Sequence, residues 1–229
     1  MKEKVVILLS GGIDSTTLLN HLKHNLRCKS ICALTINYGQ KHFIRELYCA
    51  RWQAKQAKVY EHRVMDISFF RKMIGASSAL TSRLRAVPDY AAMNKKQLDQ
   101  PPTYVPHRNL ILISLACAYA ESHGSCLVYY AAQKQDYYGY WDCTPQFVAR
   151  LNHVLALDRR KPVTLKDPFV KLHKSKVLEI GLELNVDYSR TWSCYRGHAK
   201  ACGKCPSCVE RLAAFKLNMS KDPLEYESR

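Results

Sequence analysis

Residues 4–15, with the sequence KVVILLSGGIDS, join an apolar run to a turn that contains two glycines and two serines. Residues 4–9 have the apolar, β-branched composition of a buried strand. Four leucines then recur at helical spacing over residues 15–26, namely Leu18, Leu19, Leu22 and Leu26. The turn therefore lies between a strand and a helix, where backbone N–H groups and the helix dipole favour an anion. We expect a phosphate chain to bind there.

The turn Ser10-Gly11-Gly12-Ile13-Asp14-Ser15 resembles the PP-loop, SGGxDS, of AMP-forming ATP pyrophosphatases. No lysine follows the glycines, so the Walker A contact with the β and γ phosphates is missing. The resemblance implies that ATP is cleaved between its α and β phosphates and that this loop holds pyrophosphate. Asp14 either caps amide groups of the first helical turn or holds a Mg²⁺ that neutralises the phosphates. The alternative is a glycine-rich turn before an ordinary capped helix.

Composition limits the class of protein. A chain of 229 residues can bury one sizeable core, or one domain with a small appendage. It shows neither a signal-peptide pattern nor an apolar run of transmembrane length, so we expect a cytoplasmic protein without a membrane segment. Ten cysteines in such a chain favour reduced thiols and a metal site. The net charge of +16 suits nucleotides, nucleic acid or an acidic protein, or is a solvated basic surface.

The order of secondary structure predicts an α/β fold. Strands are expected at residues 4–9, 30–36, 59–66, 125–131 and 162–165, and helices at 15–26, 42–57, 108–123, 145–157 and 174–184. This alternation predicts a parallel sheet with helices on both faces. Ligands of such sheets bind outside the carboxyl ends of the strands, where the turn at Ser10 lies. Residues 67–106 interrupt the pattern as an insertion, either a lid, a partner surface or a passive extension.

Four cysteines near the end of the chain form a metal-binding pattern. Cys194, Cys202, Cys205 and Cys208 have the spacing C-x7-C-x2-C-x2-C. Gly203 and Pro206, which are typical turn residues, lie between the last three of these cysteines. The pattern predicts a closed, tetrahedral, structural Zn²⁺ site. Free reduced thiols and an iron–sulfur cluster are the alternatives.

Several motifs together resemble the 7-cyano-7-deazaguanine synthase (QueC) family. The sequences TWSCY at 191–195 and ACGKCPSC at 201–208 are similar to its signature around the zinc ligands. Residues 33–42, ALTINYGQKH, are similar to the family's ALTFDYGQRH. Residues 104–109, YVPHRN, and 136–143, DYYGYWDC, resemble its YVPxRN and DYSGYPDC. The resemblance spans nearly the whole chain and is least clear over the insertion.

The resemblance implies both a fold and a reaction. Residues 1–185 would form a Rossmann-like PP-loop domain, and residues 186–229 a zinc-binding segment packed on it. Family members use two ATP to convert 7-carboxy-7-deazaguanine and ammonia into the nitrile through an amide. AMP transfer turns the carboxylate into a mixed anhydride, from which ammonia displaces AMP. A homodimer is common in the family.

The resemblance also assigns roles to residues. The expected catalytic residues are Ser10, Asp14, Ser15, Arg108 and Lys174. The expected nucleotide-binding residues are Leu8, Ser10, Gly11, Gly12, Ile13, Asp14, Ser15, Tyr38, Gln40 and His42. The expected substrate-binding residues are Arg108, Asp136, Tyr137, Tyr140 and Asp142. Arg108 suits bidentate contact with an anion, Lys174 acts as a point charge, and aromatic rings with carboxylates suit a purine-like ring. Surface cations and an aromatic-rich turn are the alternatives for these residues, and Cys143 is expected to be a bystander thiol.

The chain departs from the family pattern near the expected substrate site. The single-residue departures are Asn37, His107, Trp141, Thr144 and Lys176, and residues 132–135 replace a GxN-type segment. They suggest an alternative, a QueC-like ligase that stops at the amide or joins the activated deazaguanine to another amine. That amine could belong to a protein of an antiviral system, and the +16 charge would suit an acidic partner. A PP-loop enzyme that modifies tRNA is less favoured, because the paired cysteines are committed to the zinc pattern, and direct nucleic-acid binding is not expected.

Overall fold

The computed structural model describes residues 4–158 and 160–227. Five strands run through this part of the chain: β1 (Lys4–Leu8), β2 (Ser30–Asn37), β3 (Glu61–Asp66), β4 (Leu127–Tyr129) and β5 (Thr164–Lys166). The α-helices of the described residues are α1 (Ile13–His24), α2 (Phe43–Ala57), α3 (Phe70–Ile74), α4 (Lys95–Asp99), α5 (Arg108–Ser122), α6 (Pro145–Leu155), α7 (Lys174–Glu183) and α8 (Pro206–Leu217). None of these helices is both long and apolar enough to span a membrane.

The five strands form one parallel sheet in the order β3-β2-β1-β4-β5. Strand β1 pairs with β2 on one side and with β4 on the other, so Val6 lies between Cys32 and Val128. The order of strands reverses at this point, which opens a crevice beyond the carboxyl ends of β1 and β4. The predicted Rossmann-like parallel sheet is confirmed.

Helices cover both faces of the sheet because alternate residues of β1 point in opposite directions. Val5 and Ile7 belong to a cluster with residues of α1, α2 and α7, whereas Val6 packs with residues of α5. The first cluster includes Leu18, Leu19, Leu22, Ala50, Ala54 and Val177, and the second includes Ile113, Ala116, Ala120 and Leu165. Both faces of the central strand are therefore buried, as its continuous apolar sequence predicts.

All five predicted strands and all five predicted helices are present, with shifts at their ends. Helix α1 begins at Ile13 and ends at His24, two residues before the predicted end, and the chain turns at Arg27 with a φ of 53°. Helix α8 is an addition to the predicted elements, and it begins at Pro206, between the last two cysteines of the metal-binding pattern. Helices α3 and α4 have five residues each, too few for a helical period to stand out in the sequence.

The insertion at 67–106 packs against both the end of β2 and the C-terminal segment. Leu80 and Val105 pack with Tyr38, which follows β2. Val87 packs in the cluster that contains Trp192 and the four predicted zinc ligands. The insertion is thus an integral part of the packing.

The C-terminal segment is held by a buried ion pair. Arg211 of α8 is 1% exposed, and its Nε and Nη2 donate to the Asp222 carboxylate at 2.7 and 2.9 Å. Its guanidinium also donates to Thr191 Oγ1 at 2.8 Å and to the Tyr188 carbonyl at 3.1 Å. Since every partner lies beyond residue 185, this network orders the segment internally. The domain boundary at 185 stays a prediction.

Replacing Arg211 tests how much this network contributes. The substitution Arg211→Met leaves the buried Asp222 carboxylate without its cation, and we expect a loss of about 3–5 kcal/mol in the free energy of unfolding. Urea unfolding followed by circular dichroism measures it. The control is Lys200→Met, which breaks an exposed pair with Glu225 in the same segment and should have no measurable effect. Equal losses in the two variants would contradict this assignment.

Candidate active site

A cavity of about 240 Å³ opens at the carboxyl ends of β1, β2 and β4. Its wall includes the turn after β1, the start of the loop after β2, and Ala132 after β4. All five predicted catalytic residues line it, and so do all the predicted nucleotide-binding residues except Gly11. Of the predicted substrate-binding residues, the cavity brings together Arg108, Asp136 and Tyr140. Most of the predicted site therefore converges on one space.

The turn after β1 is ordered by its own serines. Ser15 Oγ accepts from the Ser10 backbone N–H at 3.2 Å, and the two hydroxyls are 3.0 Å apart. Ser10 Oγ also accepts from the Gly12 N–H at 3.2 Å. These bonds hold two hydroxyl groups side by side at the entrance of α1, where both can contact one anion.

Gly11 and the start of α1 give the turn its anion-binding character. Gly11 has a φ of +81°, and a Cβ built there would lie 2.6 Å from the Glu46 carbonyl oxygen and from the Ala50 nitrogen. Only glycine meets both constraints. Helix α1 begins after Gly12 without a side chain capping its first turn, so the positive end of its dipole faces the cavity. Asp14 therefore does not cap the first turn of α1, which is one of the two roles that the sequence allowed for it.

Asp14 instead belongs to a group of charges around Lys174. Lys174 Nζ lies 2.9 Å from Asp14 Oδ2 and 3.7 Å from Glu210 Oε2. The other Asp14 oxygen, Oδ1, is buried and has no hydrogen-bond partner among the described residues. Asp136 lines the same cavity. Three carboxylates therefore surround one ammonium group, which leaves this end of the cavity net negative when all are ionised.

This crowding perturbs Asp136. Burial raises the pKa of Asp136 to about 7, the carboxylates of Glu210 and Asp14 add to the shift, and Lys174 opposes it. Burial, together with the Asp14 carboxylate, also raises the pKa of Glu210, and Lys174 again opposes the shift. A carboxyl group that titrates near neutrality is typical of a functional site.

Arg108 enters the cavity as the first residue of α5. The preceding residue, His107, has a φ of 53°, and Arg108 Nε donates to Asn109 Oδ1 at 3.1 Å. The Arg108 guanidinium lies 5.8 Å from the centre of the Tyr38 ring. Asn109 in turn is bound by the buried Asp142 carboxylate, which accepts from its backbone N–H at 3.1 Å and from its Nδ2 at 3.3 Å.

Two of the predicted substrate-binding residues do not line the cavity. Asp142 is directed to the start of α5, as its bonds to Asn109 show. The Tyr137 hydroxyl donates to the Val170 carbonyl oxygen. Their contact with a substrate stays a prediction. In this structure Asp142 supports Asn109 of the cavity wall, whereas Tyr137 is held by Val170, outside it.

The nucleotide-binding side holds a second set of polar residues. Gln40 Oε1 accepts from the Tyr38 N–H, and Gln40 Nε2 donates to Glu46 Oε2, both at 2.9 Å. His42 Nδ1 donates to the Tyr195 carbonyl at 3.2 Å, and its Nε2 lies 3.5 Å from Glu46 Oε1. Glu46 therefore fixes both predicted residues from α2.

The four predicted metal ligands form a compact, buried group. The sulfur atoms of Cys194, Cys202, Cys205 and Cys208 all lie within 4.8 Å of one another. A tetrahedral Zn²⁺ with bonds of about 2.3 Å places sulfurs roughly 3.8 Å apart. Backbone N–H groups of Cys202 and Cys205 donate to the sulfurs of Cys194 and Cys202 at 3.4 and 3.3 Å, and such bonds favour thiolates. The group is compatible with zinc.

Sequence reasoning missed several residues of the cavity wall. Glu210, Glu46, Trp192 and Tyr195 all line it. Glu210 follows the last cysteine by two positions in the first half of α8. In the sequence it cannot be distinguished from an exposed charged residue of a helix. Glu46 lies one turn after His42, and only the position of α2 reveals that it faces inward.

The departures from the family pattern lie mostly outside the cavity. None of the five single-residue departures lines it, and of residues 132–135 only Ala132 does. Asn37 Nδ2 donates to Oδ2 of Asp66, the last residue of β3, at 2.8 Å. Trp141 packs edge-on against His107, with ring centres 5.6 Å apart. These five departures therefore lie outside the cavity, whereas Ile36, where the family motif ALTFDYGQRH has phenylalanine, lines it.

Asp136→Asn should alter stability in a pH-dependent manner. The folded protein binds an extra proton at Asp136 between its unfolded pKa, near 4, and about 7, so ionisation of Asp136 costs stability as the pH rises through this window. The variant lacks this loss. We expect the stability of the variant, relative to the wild type, to increase between pH 5 and pH 8 in urea unfolding.

Glu121→Gln provides the control, because it removes a carboxylate from the exposed side of α5. Its difference from the wild type should not change between the two pH values. An Asp136→Asn difference that is the same at pH 5 and pH 8 would contradict a raised pKa at this position.

Comparison with known proteins places the chain in a family. The profile of the family described as "Queuosine biosynthesis protein QueC" matches residues 4–219. The chain is 43% identical to 7-cyano-7-deazaguanine synthase 1 of Colwellia psychrerythraea, over 99% of this chain and 100% of that protein. It is 44% identical to 7-cyano-7-deazaguanine synthase of Psychromonas ingrahamii, over 99% of each chain.

A comparison of structures supports the fold alone. NMN synthetase from Francisella tularensis aligns over 96% of this chain and 79% of its own, with a TM-score of 0.50 and 15% identity. The full-length matches are much closer in sequence, and their coverage extends over the residues that build the cavity and the cysteine group. The chain belongs to the QueC family and is an ATP-dependent enzyme of that family.

Proposed function

We propose that this chain activates 7-carboxy-7-deazaguanine by adenylation and converts it, with ammonia, into 7-cyano-7-deazaguanine. The observation that carries the proposal is that the turn after β1, Arg108, Lys174, Asp136 and Tyr140 share one cavity. A phosphate-binding turn thus lies beside residues suited to a ring with polar edges. The names of the full-length relatives support the same product.

The chemistry needs activation because a carboxylate loses oxide too reluctantly for an amine to displace it. Transfer of AMP to the carboxylate forms a mixed anhydride and releases pyrophosphate, and ammonia then displaces AMP to give the amide. A second adenylation, on the amide oxygen, allows AMP to leave with formation of the nitrile. The protein's contribution is mainly to align the reactants and to neutralise charge.

Individual residues suit these tasks. The hydroxyls of Ser10 and Ser15 and the uncapped start of α1 would hold the departing pyrophosphate. Lys174 would neutralise phosphate charge at the same end of the cavity. Arg108, at the start of α5, suits bidentate contact with a carboxylate or a phosphate. Asp136 and Tyr140 would recognise the polar edge and the face of the deazaguanine.

Two metal ions fit the residues present. The unpartnered Asp14 Oδ1 offers a hard oxygen ligand of the kind that Mg²⁺ prefers, and Asp14 would hold the ion together with phosphate oxygens of the nucleotide. Bound there, Mg²⁺ would offset the charge of the phosphates. The four buried cysteines would hold a structural Zn²⁺ that fixes the start of α8.

An assay with the purified protein tests the reaction. The protein is incubated with 7-carboxy-7-deazaguanine, ATP and Mg²⁺, with and without ammonia, and AMP and product mass are followed. We expect AMP formation that depends on the deazaguanine, and a free nitrile when ammonia is present. An amide end point, or a mass shift on an added protein, would contradict conversion to the nitrile. It would support the alternative, a ligase that stops at the amide or uses another amine. AMP formation that requires tRNA would contradict both.

Lys174→Met should remove much of the activity. Because Lys174 provides a cation beside the phosphate-binding turn, we expect AMP formation to fall at least ~100-fold. The matched control is Lys176→Met on the same helix, where the lysine pairs with Glu179 at 2.7 Å on the surface. That variant should stay within twofold of the wild type. AMP formation by a folded Lys174→Met variant at a rate close to the wild type would exclude Lys174 from the site.

A further inference from the structure

The last residues of the insertion contact the loop that carries Asp136 and Tyr140. Pro101 packs against Gly139, where a built Cβ would lie 2.3 Å from Pro101 Cδ. Thr103 Oγ1 and Tyr140 Oη are 2.7 Å apart. These contacts follow one another along both segments, so residues 101–104 lie side by side with residues 139–141.

The third contact in the series involves Trp141. Its Nε1 donates to the hydroxyl of Tyr104 at 3.0 Å, and the Tyr104 ring lies 6.3 Å from the ring of Tyr140. Tyr138 packs edge-on against Tyr140, with ring centres 6.1 Å apart. The Tyr140 ring therefore has two aromatic neighbours, and its hydroxyl is fixed by Thr103.

Thr103 is built for this contact. It is 1% exposed, and its hydroxyl has Tyr140 as its side-chain partner. Tyr140 lines the cavity, while Thr103 does not. The Tyr140 N–H donates to the Asp136 carbonyl at 3.1 Å, so a shift of Tyr140 would also move the turn that carries Asp136.

We infer that residues 101–104 position the substrate loop, and that Thr103 is a positioning residue that sets the specificity of the cavity for a flat heteroaromatic ring by orienting Tyr140. The end of the insertion thereby has a role in the site. The specificity for a deazaguanine rests on the proposed function, whereas the structural link between Thr103 and the loop is independent of it.

Thr103→Val tests the inference because valine keeps the shape of threonine and lacks the hydroxyl. We expect the KM for 7-carboxy-7-deazaguanine to rise ~5-fold, the factor typical of one hydrogen bond, while kcat and the KM for ATP change less than twofold. Thr103→Ser keeps the hydroxyl and should restore the wild-type KM. A role in stability alone would not separate the two KM values in this way.

Thr81→Val is the matched control within the insertion. Thr81 is also 1% exposed, and its hydroxyl has no hydrogen-bond partner among the described residues. Its replacement should leave both KM values unchanged. An equal rise in the KM for the deazaguanine in Thr81→Val and Thr103→Val would overturn the inference.

Hydrogen–deuterium exchange separates this inference from the proposed function. The N–H groups of Tyr140 and Cys143 are bonded within the loop, and their exchange should become faster in Thr103→Val but not in Thr103→Ser or Thr81→Val. If the wild type does not turn over the deazaguanine, the proposed function fails and exchange alone decides the positioning role. Unchanged exchange in Thr103→Val would overturn that role.

Discussion

The close packing of Gly11 against α2 is the constraint on which the site depends. Two backbone atoms of α2 lie where a side chain at this position would begin. On its other side, the Gly11 carbonyl accepts from the Trp192 N–H at 2.9 Å. The turn after β1 is thus held between α2 and the segment that carries the cysteines. The anion-binding turn and the cysteine group are therefore mechanically connected, although about 180 residues separate them in the sequence.

The charge of the cavity differs from the charge of the chain. The molecule carries a net charge of +16, yet Asp14, Asp136 and Glu210 surround Lys174 at one end of the cavity. Such a group of carboxylates destabilises the free protein, as the raised pKa of Asp136 indicates. A site that handles polyphosphate can accept this cost when cations bind with the substrate. The basic residues that dominate the composition lie mostly elsewhere, so composition alone could not describe the site.

The parts of the molecule that could be predicted are those encoded by contiguous sequence patterns. The strands, the turn at Ser10–Ser15 and the four cysteines each follow from local spacing, because period and turn chemistry are local properties. Glu210 could not be predicted, since it reaches the cavity only through the way α8 packs. The directions of Tyr137 and Asp142 were equally hidden, because they lie in short 3₁₀ turns where successive side chains point to different sides.

The position of the departures from the family pattern bears on how this chain has diverged. Trp141 and His107 contact each other outside the cavity, and Trp141 also binds Tyr104 of the insertion. Asn37 lies at the end of β2 and bonds to Asp66 of β3. These residues belong to the layer that supports the cavity wall, whereas Ile36, where the family motif ALTFDYGQRH has phenylalanine, lies in the wall itself. Divergence in a supporting layer changes how rigidly a site is held before it changes which groups the site presents. Because most of the departures lie in that layer, we expect them to act mainly on how firmly the cavity wall is held.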